Sequence, residues 1–245
     1  MSASETAILT YHSLDESGSV ISTRPDVFGR QMQVLARSGL PVVPLSRIRD
    51  EPRGVALTFD DGFRNFFDHA APALARHSFP ATVFVVTGHC GGWNDWPQMA
   101  GIPRLALMDW PQLRELAGAG IHLGGHSVRH PRMTALSESQ VEEELRACHQ
   151  TIEDSTGQRV DSFAYPYGAV NAGVRRAASR HYRLACSVEM GFVRADADPL
   201  CLPRLDSYYL RDEARFARFC RGQARVYLST RRLLRELRGL MMVRS

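Results

Sequence analysis

Short apolar runs rich in β-branched residues alternate along this chain with stretches whose apolar residues recur at helical spacing. That alternation restricts the fold to parallel strands joined by crossover helices. The runs predict strands at Ala7–Tyr11, Val55–Phe59, Thr82–Val86, Ile121–Gly124, Ser162–Tyr165 and Leu184–Ser187. The helical spacing predicts helices over Asp26–Ser38, Asn65–Arg76, Pro111–Ala117, Glu138–Ser155 and Ala172–Arg180. Two helix starts are signalled independently. Asp109 stands before Trp110-Pro111 as an N-cap with proline in the first turn, and Ser137 is followed three residues later by Gln140, a capping-box pattern. With no internal repeat and no linker, the 245 residues suit one α/β barrel domain. The barrel is expected over 1–211, with a basic helical extension of the same domain over 212–245.

Composition removes several classes of function. A hydrophobic share of 44% against 23% charged residues is that of a globular protein, and a formal charge of +4 is too small to argue for nucleic acid. All 30 basic residues are arginine, which reads more readily as coding bias than as anion recognition. Cys90, Cys148, Cys186, Cys201 and Cys220 are widely spaced and form no C-x-x-C pair, so neither a disulfide framework nor a thiolate zinc site is expected. Met1–Ile8 lacks the basic-then-apolar pattern of a leader, and no apolar run reaches about 18 residues, so a cytoplasmic enzyme is expected. From Asp212 to Arg244 the pattern is helical and basic, with Phe216, Phe219, Val226, Leu233, Leu234, Leu237 and Leu240 interleaved. The simpler expectation is a helix packed on the barrel with its basic side in water; the alternative is peripheral contact with an anionic membrane surface.

Three clusters carry chemistry. Thr58-Phe59-Asp60-Asp61-Gly62 closes a predicted strand, at the end where α/β folds place active-site loops. Adjacent carboxylates can divide labour when a cation neutralises one and leaves the other as a base, although such a sequence also serves as a turn and helix cap. His126 and His130, four apart on one side of an expected helical turn, can reach one divalent cation. With Asp61 they make three protein ligands and leave positions open for water and substrate, as in catalytic sites. The third cluster, Phe163-Ala164-Tyr165-Pro166-Tyr167-Gly168, forces a bend that can turn a backbone N–H toward a substrate oxygen. His69, His77, His149 and His181 fall within or beside helices, where surface or capping roles are expected, and His89 and His122 have no motif around them.

In this order and at these separations, Thr58–Gly62, His126–His130 and Tyr165–Gly168 resemble the three central motifs of the polysaccharide deacetylases, also called carbohydrate esterase family 4 or the NodB-homology domain. The resemblance spans roughly Ala7 to Leu205. It implies a distorted (β/α)7 barrel and hydrolysis of the N-acetyl group of an amino sugar. Asp60 would be the base, Asp61, His126 and His130 the ligands of a divalent metal, with zinc expected, and the Tyr167 N–H an oxyanion donor beside Pro166. Two departures stand out. Many members carry an arginine where this chain has Ala164, and a late histidine as general acid where this chain has none after His181. His12, which closes the first strand, fits the acid, as in the circularly permuted branch that includes the exopolysaccharide poly-N-acetylglucosamine deacetylases. Arg204 of Leu202-Pro203-Arg204-Leu205 would replace the missing arginine by pairing with Asp60. Trp93, Trp96, Trp110 and Tyr165 are candidates to line the sugar site. The rival expectations are a deformylase or O-acetyl esterase acting on a lipid- or nucleotide-linked sugar, and an inactive carbohydrate-binding barrel.

Overall fold

Strands form where the β-branched runs lie: β1 (Glu5–Tyr11), β2 (Arg53–Phe59), β3 (Thr82–Val85), β4 (His122–Gly125), β5 (Ser162–Ala164), β6 (Leu184–Met190) and β7 (Leu202–Asp206). The computed structural model describes residues 5–97 and 101–242. All seven strands are parallel and close in sequence order, β1 pairing with β2 in the register Ala7↔Val55 and with β7 at Leu9↔Leu205. The expected (β/α)7 barrel is the observed one. β7 is the strand that periodicity missed, because Pro203 and Arg204 interrupt its apolar pattern.

Between the strands run α1 (Pro25–Ser38), α2 (Ala71–Ala75), α3 (Trp110–Gly118), α4 (Glu138–Thr156) and α5 (Ala172–Ala178). The expected N-cap Asp109 is present and forms a capping box with Gln112, and the expected capping box of Ser137 with Gln140 is present too. The helix expected over Asn65–Arg76 divides into a π-turn, Phe66–Ala70, and α2, with Pro72 in the first turn of α2. Between β6 and β7 the chain returns through turns instead of a helix, and Val193 forms an antiparallel bridge with Thr6.

Alternation along the strands sorts the core into two layers. Leu9, Tyr11, Leu57, Phe59, Val83, Leu123 and Phe163 face outward and join Phe28, Met32, Leu145 and Ile152 of the helices. The barrel interior takes the opposite phase, with Ile8, Ala56, Phe84, Ala164, Cys186 and Leu202 closed off by Leu45 and Ile48. Above this plug the same phase turns polar, beginning with Thr10 and Thr58, whose hydroxyls lie 3.4 Å apart. One step further along each strand stand His12, Asp60, His126 and Arg204. The interior is tight: a Cβ on Gly124 would lie 2.6 Å from the Phe84 ring.

The single C-terminal helix expected over Asp212–Arg244 is two helices, α6 (Glu213–Cys220) and α7 (Arg225–Met242), divided at Gly222, whose φ of 76° is left-handed. Residues 243–245 lie outside the described residues, as do Met1–Ser4 of the N-terminal segment. α6 behaves as the simpler expectation holds, burying Phe216, Phe219 and Cys220. α7 does not, since it buries Leu228 but leaves Val226, Leu233 and Leu234 exposed.

Candidate active site

Asp60 and Asp61 follow β2 directly and diverge because the chain turns sharply there, Asp61 at φ 72° and Gly62 at φ 76°. Asp60 keeps the inward phase, and the turn swings Asp61 toward the loop after β4. There the structure corrects one expectation: residues 126–130 are not helical. Ser127 and His130 take left-handed φ values of 67° and 58°, and the Ser127 hydroxyl accepts from the His130 N–H at 2.9 Å. Among the described residues five non-glycine residues have positive φ, and Asp61, Ser127, His130 and Tyr167 are four of them. Backbone strain of about 1–3 kcal/mol per residue is therefore concentrated at one place, as at functional sites.

The loop is held by a residue that no sequence motif singles out. Glu144 of α4 is buried, and its carboxylate accepts from the Val128 and Arg129 N–H groups at 2.8 and 3.0 Å and from Arg129 Nε at 2.7 Å. Asn65 does the same for the segment after His12, accepting from the Leu14 N–H at 3.0 Å and donating to the Ser13 hydroxyl at 2.7 Å. Neither lies in a motif. Both are long-range contacts, which local pattern does not encode.

Asp61 Oδ1 lies 3.3 Å from His126 Nε2 and 3.3 Å from His130 Nε2, and the two nitrogens are 3.2 Å apart. These spacings match the edge of a tetrahedron with bonds of about 2.0–2.1 Å, which is about 3.3 Å. His126 Nδ1 donates to the Ala164 carbonyl at 2.7 Å, which leaves Nε2 as a lone pair facing the Asp61 oxygen. Two acceptors aimed at one point in a buried cluster call for a cation between them, so the donor set fits a divalent metal. Burial works against charge on Asp61, but both histidines outweigh it and hold the carboxyl far below the usual carboxylate range. Burial also opposes charge on His126, yet Asp61 and Asp60 push it up, whereas burial prevails at His130 and pushes it down.

Asp60 is gripped from the opposite side. Arg204 donates from both terminal nitrogens to its two oxygens at 2.7 and 2.8 Å, and from Nε to the Ser187 carbonyl at 2.9 Å. Burial alone would raise the Asp60 carboxyl; Arg204, then His12 and His126, bring it below its usual value. His12 Nε2 lies 3.7 Å from Asp60 Oδ2, and its side chain is 24% exposed. It stands directly beside that carboxylate, at the same end of the barrel.

The third cluster divides. Tyr167 takes φ 56° in a turn closed by the Gly168 N–H donating to the Tyr165 carbonyl at 2.8 Å, and its ring lies 4.5 Å from that of His130. A Cβ on Gly168 would fall 2.1 Å from Val188. Tyr165, expected at the sugar site, is a core residue instead, its hydroxyl donating to the Leu200 carbonyl at 2.9 Å, and Pro166 is buried beside it. Trp110, expected there too, opens α3 and packs half-buried against the main core. The tryptophan at the site is Trp96, stacked 4.6 Å from His130. It belongs to the loop over residues 88–103, of which residues 98–100 lie outside the described residues, and the Tyr167 hydroxyl donates to the Pro97 carbonyl of the same loop. Trp93 lies further out, exposed under Arg104.

A barrel of this topology with this cluster at its strand ends defines a class of hydrolase, and comparison with known proteins is specific. The sequence profile described as polysaccharide deacetylase matches residues 47–183. A Bacillus subtilis protein described as a polysaccharide deacetylase, YxkH, is 24% identical over 207 residues, 81% of this chain and 70% of its own length. The poly-β-1,6-N-acetyl-D-glucosamine N-deacetylase of Staphylococcus epidermidis is 25% identical over 168 residues, 62% of this chain, and the match spans only 54% of that protein. The solved structure of IcaB from Ammonifex degensii shares the fold with a TM-score of 0.72 at 21% identity, covering 87% of this chain and 97% of that one. The chain belongs to the polysaccharide deacetylase family.

Proposed function

We propose that the protein removes the N-acetyl group from an amino sugar in a polysaccharide or glycoconjugate, with a divalent metal, zinc foremost, held by Asp61, His126 and His130. The observation that carries this reading is the pairing of a buried, arginine-held carboxylate, Asp60, with a three-donor cluster of tetrahedral spacing. A cation bound there would polarise the amide carbonyl and lower the pKa of water. Asp60, kept ionised by Arg204, takes the proton of the attacking water. The Tyr167 N–H, in its strained turn, faces the oxygen on which negative charge develops. His12 stands beside Asp60 with an edge open to solvent and delivers a proton to the leaving amine, without which the tetrahedral species returns to substrate. Trp96 and Tyr167 bracket His130, and the half-buried Tyr167 ring offers aromatic surface for a sugar ring.

The test is release of acetate from N-acetylglucosamine oligomers, peptidoglycan fragments and lipid-linked sugars, by metal-stripped protein before and after zinc is restored. Acetate that appears only with metal supports the reading. Formate release, or loss of O-acetyl groups alone, would move the chemistry to another acyl group, and no release from any of them would sink it.

A further inference from the structure

α7 is amphipathic in the wrong sense for a helix that merely covers a barrel. Ala224 and Leu228, one turn apart, are buried, and Tyr227 and Arg231 beside them are partly buried, which defines the side facing the barrel. At 100° per residue Val226 and Leu233 lie on the opposite side, with Leu234 on its flank. They are 81%, 56% and 43% exposed. In the sequence Leu237 and Leu240 continue the phase of Val226 and Leu233. The cations occupy the flanks and the barrel side: Arg225 lies 5.3 Å over the Phe192 ring, Arg231 5.4 Å over the Tyr227 ring, and Arg232 lies 3.9 Å from Glu189. Arg232 and Arg235 line a cavity shared with Gly168 and Val188, just behind the Tyr167 turn of the site.

We infer that α7 is an interfacial helix that docks on an anionic lipid bilayer. An outward apolar stripe with Arg225 and Arg232 along one flank is the pattern of a helix lying in the headgroup region, with long side chains able to reach for phosphate. Among the described residues no helix is long and apolar enough to cross a membrane, so α7 lies on the surface and does not span it. Charge argues against a second copy of this chain as the occupant. Residues 225–235 hold four arginines and no acid, so two such faces brought together would set like charges side by side. Docking places the Gly168–Val188 side of the barrel next to the headgroups and leaves the fold of the site unchanged.

Co-sedimentation of the full chain with vesicles tests this. Vesicles of phosphatidylglycerol and phosphatidylcholine in equal parts should bind the protein at least about tenfold more tightly than phosphatidylcholine alone, since each basic residue near an anionic surface is worth about fivefold. The double variant Leu233→Glu, Leu234→Glu should lose at least about tenfold of that binding while its circular dichroism stays that of the parent. Equal binding to both vesicles, no binding to either, or full binding by the folded double variant would each overturn the inference. So would a concentration-dependent dimer that the double variant abolishes, which would assign the face to a second copy.

Discussion

At the scale of single residues two adjacent carboxylates face opposite ways, and the proposed reaction divides its labour between them. Asp60→Asn should keep its metal and lower kcat by about 10²–10⁴, the usual worth of a positioned base. Asp61→Asn should lose metal, and metal content measured on both proteins separates the roles. Arg204 sets the protonation of Asp60. With the guanidinium removed in Arg204→Met, burial is opposed only by His12 and His126 and the carboxyl rises, so the acid limb of the kcat/KM profile should move to higher pH. The same change leaves a buried charge without its partner, and the melt should show a loss of about 3–5 kcal/mol. An acid limb that stays in place would show that Asp60 is not the titrating base. His12→Ala should keep its metal and lose most amide hydrolysis, yet lose far less on an activated aryl ester, whose leaving group needs little protonation. Equal losses on both substrates would make His12 something other than the acid.

Elements hold these residues at two kinds of position, and only one kind is written in local pattern. His12, Asp60, His126 and Arg204 follow strand alternation, one face of each strand carried to its end, and the three motifs and the histidine after β1 were legible for that reason. Asp61, His130 and Tyr167 depend on left-handed turns, and such turns persist only when neighbours hold them. Glu144, reaching from α4 into the His126–His130 loop, is such a neighbour. Glu144→Gln would turn an amide N–H toward donors that now meet a carboxylate. It should weaken metal affinity by about 10–100-fold, measured against a competing chelator at a temperature where the variant is fully folded. Unchanged affinity would reduce Glu144 to a packing role. The helical expectation for residues 126–130 failed for the same reason. A spacing of four suits a helix and a folded-back loop alike, and α4 decides between them.

For the whole molecule, the Asp61, His126 and His130 cluster joins the loops after β2 and β4, so metal bound there should register in global stability. Zinc at about a hundred times its dissociation constant should add about 2.7 kcal/mol, roughly 5–10 °C in Tm for a chain of this size. Chelator should reverse the gain, and a melt indifferent to metal would mean that the folded barrel does not bind it. The barrel itself was determined by the sequence, because period-2 and period-3.6 patterns are local and their alternation admits few topologies. So was the family, through three short motifs in order. β7 was hidden by its own Pro203-Arg204, and the break between α6 and α7 by a continuous helical pattern. Which aromatic meets His130, which carboxylate supports the metal loop, and which side of α7 faces outward were decided only by tertiary structure. Each depends on what lies across the barrel or beneath the helix, many residues away along the chain, and such neighbours leave no mark in local periodicity.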